Sequence, residues 1–252
     1  MNIFKKIFQS SESHLKCFND IENVFHETDL KYNLIFFPMC SVNLNQIIPN
    51  RNEWVHFVDV WNNGDIEERY FHENRTRGLI RFKLKDSKYF YKGNEIAFPK
   101  YDRLGEWNDE ALKEFEKNKL EYLEIGDRKD FLKSSRKMIE DEREKKDFDY
   151  YLYVDQMLTY LVTKERYKSK GKIYNQKSFP KGYKIKPKEK INQIGGKPQW
   201  IQRDMTPTSK EGKPLTFIGD VTGFNYMANG TDKLYLFLDE DNGDIVQIMQ
   251  YG

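Results

Sequence analysis

Between Leu79 and Lys85 the chain alternates, with Leu79, Arg81, Lys83 and Lys85 in one phase and Ile80, Phe82 and Leu84 in the other. Period two marks a strand with one buried face. WVHFVDVW (Trp54 to Trp61) sets Val55, Phe57 and Asp59 against Trp54, His56, Val58 and Val60 and reads as a second strand. Lys31 to Pro99 as a whole therefore predicts an antiparallel sheet. Its two hairpins are expected to turn at Asn62-Asn63-Gly64-Asp65 and at Lys92-Gly93-Asn94, because Asn and Gly tolerate the positive φ of tight turns.

From Asn108 the period lengthens. Asn108 or Asp109 is a candidate cap for a helix carrying Leu112, Phe115, Leu120 and Leu123, with Gly126 placed to end it. A second helix is expected after Asp127 through Phe131, Leu132, Met138 and Ile139, running into the charged stretch EDEREKKD. Phe148, Tyr151, Leu152, Leu158, Leu161 and Val162 recur at helical steps and predict a third. Beyond Lys164 the chain reads as a basic connector followed by strands at Leu215–Val221, Lys233–Asp239 and Asp244–Tyr251. Asn242-Gly243 between the last two is a strong hairpin signal. The expectation is an α+β protein: a β-rich region over 1–105, a helical segment over 106–163, and a basic connector with a second β region over 164–252, or all three as one continuous domain.

Composition changes this picture in two ways. The chain holds 18 Phe, 16 Tyr and 4 Trp among 252 residues, which argues for an aromatic core and against disorder. The formal charge of +2 also conceals a segregation: Lys164 to Lys190 carries eleven Lys/Arg against Glu165 and Glu189, a local +9, so the remainder is +2 minus 9, or −7. Two cysteines, Cys17 and Cys40, fit reduced cytosolic thiols better than a disulfide framework. The opening MNIFKKIFQSSESH is too poor in apolar residues for a secretory signal, and no stretch is long and apolar enough to span a membrane. Cytoplasm is the expected location.

Most candidate chemistry fails on spacing. Counted from Asp239, a calcium loop would need glycine at its sixth position and glutamate at its twelfth, where the chain has Asp244 and Gln250. Gly196-Lys197 and Gly212-Lys213 lack the upstream glycine of a phosphate loop. His14, His26, His56 and His72 have no zinc-ligand spacing, so neither metal nor cofactor is expected. Nucleophilic catalysis would need Cys17, Cys40 or a serine beside a histidine, which the linear order does not suggest. Two segments remain. The basic stretch interleaves lysines, among them Lys168, Lys170, Lys172 and Lys177, with Tyr167, Tyr174, Phe179 and Tyr183. That suits a phosphate backbone, yet Pro180, Gly182 and Pro187 favour a linker or protein-contact segment. IGGKPQWIQRDMTP (Ile194 to Pro207) reads as a structural corner, with paired glycines at a turn, Pro198 stiffening the exit, and Trp200 and Ile201 plugging an apolar space. The competing reading makes Trp200, Gln202 and Arg203 the lining of a partner-binding groove.

The order GGxPxW, GxPLxF and LYxF, carried by Gly195, Gly196, Pro198, Trp200, Pro214, Leu215, Phe217, Tyr235 and Phe237, resembles the YwqG-like family of bacterial proteins over residues 178 to 251. It is also similar to the N-terminal segment of eukaryotic programmed cell death protein 2. The resemblance implies coiled or branching sheets with helices and leaves the biochemical role undefined. A Cys-x-x-Cys pair present in some relatives is replaced here by Thr208-Ser209-Lys210-Glu211, so a metal inference lapses. A small, aromatic-rich, charge-segregated chain without catalytic motifs is expected to be a non-enzymatic binding protein. The sharpest expectation is an immunity protein that neutralises a bacterial toxin by direct contact. The alternative is an enzyme or nucleic-acid-binding factor using 164–190.

Overall fold

The computed structural model describes residues 14–27, 32–62, 75–94, 98–124, 148–171, 173 and 190–252. Their elements, in order, are β1 (Leu15–Cys17), α1 (Ile21–Val24), α2 (Tyr32–Ile35), β2 (Phe36–Asn43), β3 (Trp54–Val60), β4 (Arg75–Thr76), β5 (Leu79–Lys85), β6 (Lys88–Phe90), α3 (Tyr101–Glu124), α4 (Phe148–Lys170), β7 (Gln193–Ile194), β8 (Thr216–Val221), β9 (Lys233–Leu238) and β10 (Asp244–Gln250). The fold is α+β, with antiparallel sheets and long helices. It divides into two compact units. One comprises Met1–Phe98, Ile191–Val221 and Thr231–Gly252, the other Pro99–Lys190 and Thr222–Gly230. The division is interleaved rather than consecutive because β5, in the first half of the chain, pairs with β10 near its end.

In the first unit the strands form a three-stranded sheet in the order β1-β2-β3 and a seven-stranded sheet in which β4-β5-β10-β9-β8-β7 run side by side and β6 pairs with β5. The two strands first read as one N-terminal sheet thus separate, β3 into the smaller sheet and β5 into the larger. The alternation of β5 holds: Ile80, Phe82 and Leu84 are buried while Arg81 and Lys83 lie half-exposed. Its hairpin turns at Asp86-Ser87, both with positive φ, and joins β6 rather than turning first at Lys92–Asn94. Residues 63–65 of the other expected turn, the 95–97 arm beyond Lys92–Asn94, and the helix expected after Asp127 lie outside the described residues.

Aromatic rings from α1's end, β2, β5 and β6 meet in one cluster. Phe25 stacks on Phe36 at 4.9 Å, Phe82 on Tyr89 at 4.9 Å, and Phe98 and Tyr91 close it edge-on against Phe36. The outer edge of β3 needs partners that no strand among the described residues supplies. Side chains supply them at every second residue. The Ser87 hydroxyl accepts from Trp54 N–H (3.0 Å), and the Tyr89 hydroxyl accepts from His56 N–H (2.7 Å) while donating to His56 C=O (2.9 Å). Gln247 of β10 accepts from Val58 N–H (2.9 Å) and donates to Val58 C=O (2.6 Å), and Asp59 accepts from Val60 N–H. Asp59 also accepts from the backbone and hydroxyl of Thr231, and burial raises its carboxyl above the usual range.

In the second unit α3 packs on α4. The helix begins at Tyr101, seven residues before the expected cap, and buries Leu104, Trp107, Ala111, Phe115 and Tyr122. Leu112 and Leu120, expected on the apolar face, are exposed. The buried stripe runs in steps of three and four from Leu104, which leaves Leu112 at its flank and Leu120 on the far side. Trp107 meets Tyr150 and Tyr153 edge-on or tilted at 5.7 and 6.0 Å, and Arg166 donates to the terminal carbonyls of Tyr122 and Leu123. The segment Thr222–Gly230 is tied to α4 by the Thr159 hydroxyl, which accepts from Ala228 N–H at 2.7 Å. Among the described residues no helix is long and apolar enough to cross a membrane.

Candidate functional site

The stretch Ile194 to Pro207 forms a strap over one face of the large sheet. Gly195 and Gly196 take φ of +65° and +77°, a turn that side-chain-bearing residues adopt at a cost. Gln193 holds it by donating to the carbonyls of Gly195 (2.7 Å) and Lys197 (3.0 Å). Trp200 then lies on Tyr235 (4.3 Å) and Phe237 (5.8 Å), within a cluster of Leu215, Phe217, Val246 and Ile248 joined by Leu79 and Met205. Backbone groups of the strap are met by β-strand side chains. Gln250, fully buried, accepts from Ile201 and Gln202 N–H and donates to Arg203 C=O, while the Tyr235 hydroxyl donates to Gln199 C=O.

Trp200 is partly buried and packs on the sheet, whereas Ile201, expected beside it, is 45% exposed and Met205 packs there instead. The chain bends over Ile201, Gln202 and Arg203, and all three side chains are exposed, so the inward turn at Trp200 is not continued by its successor. Gln202 and Arg203 face solvent, the former bonding Tyr251 C=O. Trp200, Gln202 and Arg203 therefore share one strap but not one face. Lys168 and Lys170 belong to the other unit. They are exposed on the last turn of α4, where cations complement the helix dipole, so the basic stretch starts as helix rather than connector. Lys172 and Lys177 lie outside the described residues.

Next to the strap the first unit holds a cleft of about 610 Å3. Arg81 and Lys83 reach it from the half-exposed phase of β5, where they stand opposite Val246 and Asp244 of β10. Lys92 follows β6, and Thr208, Ser209 and Lys210 come from a small loop closed by Thr208 and Pro214. Its carboxylates are already engaged. Asp244 pairs with Lys83 at 3.1 Å, and Asp239 accepts from Asp241 N–H and the Asn242 amide to shape the hairpin turn. Among the described residues Arg81, Lys92 and Lys210 form no ion pair, which leaves the cleft net positive. The linear order hides these cations because they come from three separate segments; the polar phase of Leu79 to Lys85 was the available signal.

A serine does lie beside a histidine. Ser41 Oγ is 2.6 Å from His56 Nδ1, and His56 Nε2 is 2.8 Å from Ser87 C=O. Both residues are 1% exposed, Asn19 donates to the same hydroxyl, and burial drops the imidazole to about 4. An imidazole so acidic is a weak base at neutral pH, and a nucleophile sealed in a sheet meets no substrate. The pair is a structural hydrogen bond. Among the described residues no group of three or more His, Cys, Asp or Glu is placed to hold a metal ion. No family model, curated protein or solved structure matches the chain.

Proposed function

We propose that the chain is a non-enzymatic cytoplasmic binding protein, and within that class an immunity protein that neutralises a cognate bacterial toxin by direct contact. The observation that carries this reading is the cleft, whose Arg81, Lys92 and Lys210 form no ion pair among the described residues. Such a surface steers and orients an acidic protein face. Ile201, Gln202 and Arg203 are exposed on the strap at the other end of β10, beside Gln250 and Tyr251, and offer a separate mixed apolar and polar surface. The sealing of Ser41 and His56 supports binding over catalysis. The YwqG-like likeness is part of the same proposal, on Gly195, Gly196, Pro198 and Trp200 of the strap and Tyr235 and Phe237 beneath it.

Immunity genes sit beside their toxins, so the test is to express the neighbouring gene product alone and with this chain. Protection from growth arrest, with a direct complex in titration, is expected. Replacing Arg81, Lys92 and Lys210 by glutamate should slow association by about tenfold or more with a smaller effect on dissociation. The alternative uses the basic stretch on nucleic acid. Engaging about five of its lysines would give a slope of log affinity against log salt near about −4.5 on duplex DNA. Sub-micromolar nucleic-acid affinity at about 150 mM salt, lost on replacing Lys168, Lys170, Lys172 and Lys177 by glutamate in a folded variant, would decide for that alternative.

A further inference from the structure

The only two cysteines of the chain, 23 positions apart, face each other across neighbouring strands: Cys17 of β1 is in register with Cys40 of β2. In an antiparallel ladder, residue pairs alternate between hydrogen-bonded and non-hydrogen-bonded, the second kind having closer side chains. Phe18 N–H donates to Met39 C=O at 2.8 Å, which makes Phe18 and Met39 a bonded pair. Cys17 and Cys40, one step along, are therefore a non-bonded pair. Cα atoms in such pairs stand about 4.5 Å apart, inside the roughly 4.4–6.8 Å that a disulfide bridges. Directly opposed residues also project from the same face of the sheet, so the two sulfurs lie on one side.

We propose that Cys17 and Cys40 form a dithiol site for exchange with low-molecular-weight disulfides, closing reversibly to a cross-strand disulfide. The accessibilities fit an ordered reaction. Cys17 is partly exposed and Cys40 buried. The Cys17 thiolate attacks one sulfur of a disulfide RSSR; the S–S bond breaks and RS⁻ leaves, carrying off a proton as RSH. The Cys40 thiolate then attacks the Cys17 sulfur of the mixed disulfide, and the second RSH departs. Two protein thiols are oxidised and one RSSR is reduced to two RSH. The buried position of Cys40 protects the second thiol from external reagents while leaving it in reach of its partner across the strand. The inference is independent of the toxin-binding proposal, since the cleft, the strap and α4 play no part in it.

The test equilibrates the full chain with oxidised glutathione and reads intact mass, thiol content and melting temperature. Expected are a loss of 2 Da (about two hydrogens) in a monomer, disappearance of both thiols that alkylation after unfolding counts in the reduced protein, and a rise in melting temperature of about 5–10 °C as the loop between the strands is closed. Dithiothreitol should reverse all three. Cys40→Ser should instead stop at a mixed disulfide on Cys17, and Cys17→Ser should resist the reagent. A wild-type protein that keeps both thiols, holds glutathione on Cys17 at equilibrium, or cross-links between molecules would overturn the proposal.

Discussion

Gln247 carries two bonds that a strand would otherwise make, and replacing it tests whether the sheets of the first unit are joined by side chains. Gln247→Leu keeps bulk but leaves Val58 N–H and C=O, both inside the protein, without their partner. Each of the two orphaned groups costs about 1–3 kcal/mol, and the added apolar surface returns about 1, so a net loss of about 1–5 kcal/mol is expected. Gln247→Glu is more discriminating. Protonated, the carboxyl accepts from Val58 N–H and donates to its carbonyl, restoring both bonds. Ionised, it has no proton for the carbonyl and is a buried charge, so its folded pKa lies above the unfolded value near about 4.3. A group raised in this way contributes fully below the unfolded pKa and loses that contribution as pH rises through the folded one. Relative to wild type the variant should lose under about 1 kcal/mol at pH about 4 and about 3 kcal/mol at pH about 7. Urea unfolding followed by tryptophan fluorescence at both pH values measures it. A Gln247→Leu protein within about 0.5 kcal/mol of wild type, or a Gln247→Glu difference that ignores pH, would refute the side-chain joint.

Trp200→Ala should lower stability by about 2–4 kcal/mol, less than for a fully enclosed ring, since Trp200 stacks on Tyr235 and Phe237 yet keeps one exposed side; an unchanged melt with lost partner binding would make it a contact residue instead. His56, held near 4 by burial against an ordinary value of 6.5, binds its proton later in the folded state than in the unfolded one. Wild-type stability should therefore fall by up to about 3 kcal/mol between pH 6.5 and 4 on this account, and His56→Gln should flatten that slope in pH-dependent melts. Gly219→Ala would set a Cβ 2.3 Å from the Gln193 carbonyl oxygen, so a loss of about 2–3 kcal/mol and a disturbed β7 are expected in denaturation and amide exchange.

What sequence reasoning could see was local. The β9–β10 hairpin is present as expected, with Gly243 at φ +75° supplying the turn and Asp239 shaping it through its carboxylate. Alternation in β5 placed the right residues inside, but period two states only which face is buried, never which strand lies alongside; its pairing with β10 depends on the whole chain. The Asp86-Ser87 turn escaped because neither residue is the glycine or asparagine on which turn signals rest, and both still adopt positive φ. At α3 a plausible cap at Asn108 outweighed the true stripe of Leu104, Trp107, Ala111 and Phe115, where Gly105 and flanking charges dilute the pattern. The cleft was illegible for the same reason as the β5–β10 pairing, since Arg81, Lys92 and Lys210 become neighbours only once the sheet has formed.

The closed edge of β3 also has a history in time. Val58 and Gln247 are separated by 189 residues, and a ribosome adding about 5–20 residues per second needs roughly 10–40 s to cover that distance. Through that interval the nascent β3 holds the buried-to-be Val55, Phe57 and Val58 beside backbone groups that only later chain can satisfy. A strand in that state is a template for pairing with a neighbouring copy. The yield of folded protein is accordingly set by how well the growing chain is shielded during those seconds, and slowing translation between codons 60 and 247 should lower it, even though the finished molecule exposes no such edge at Val58.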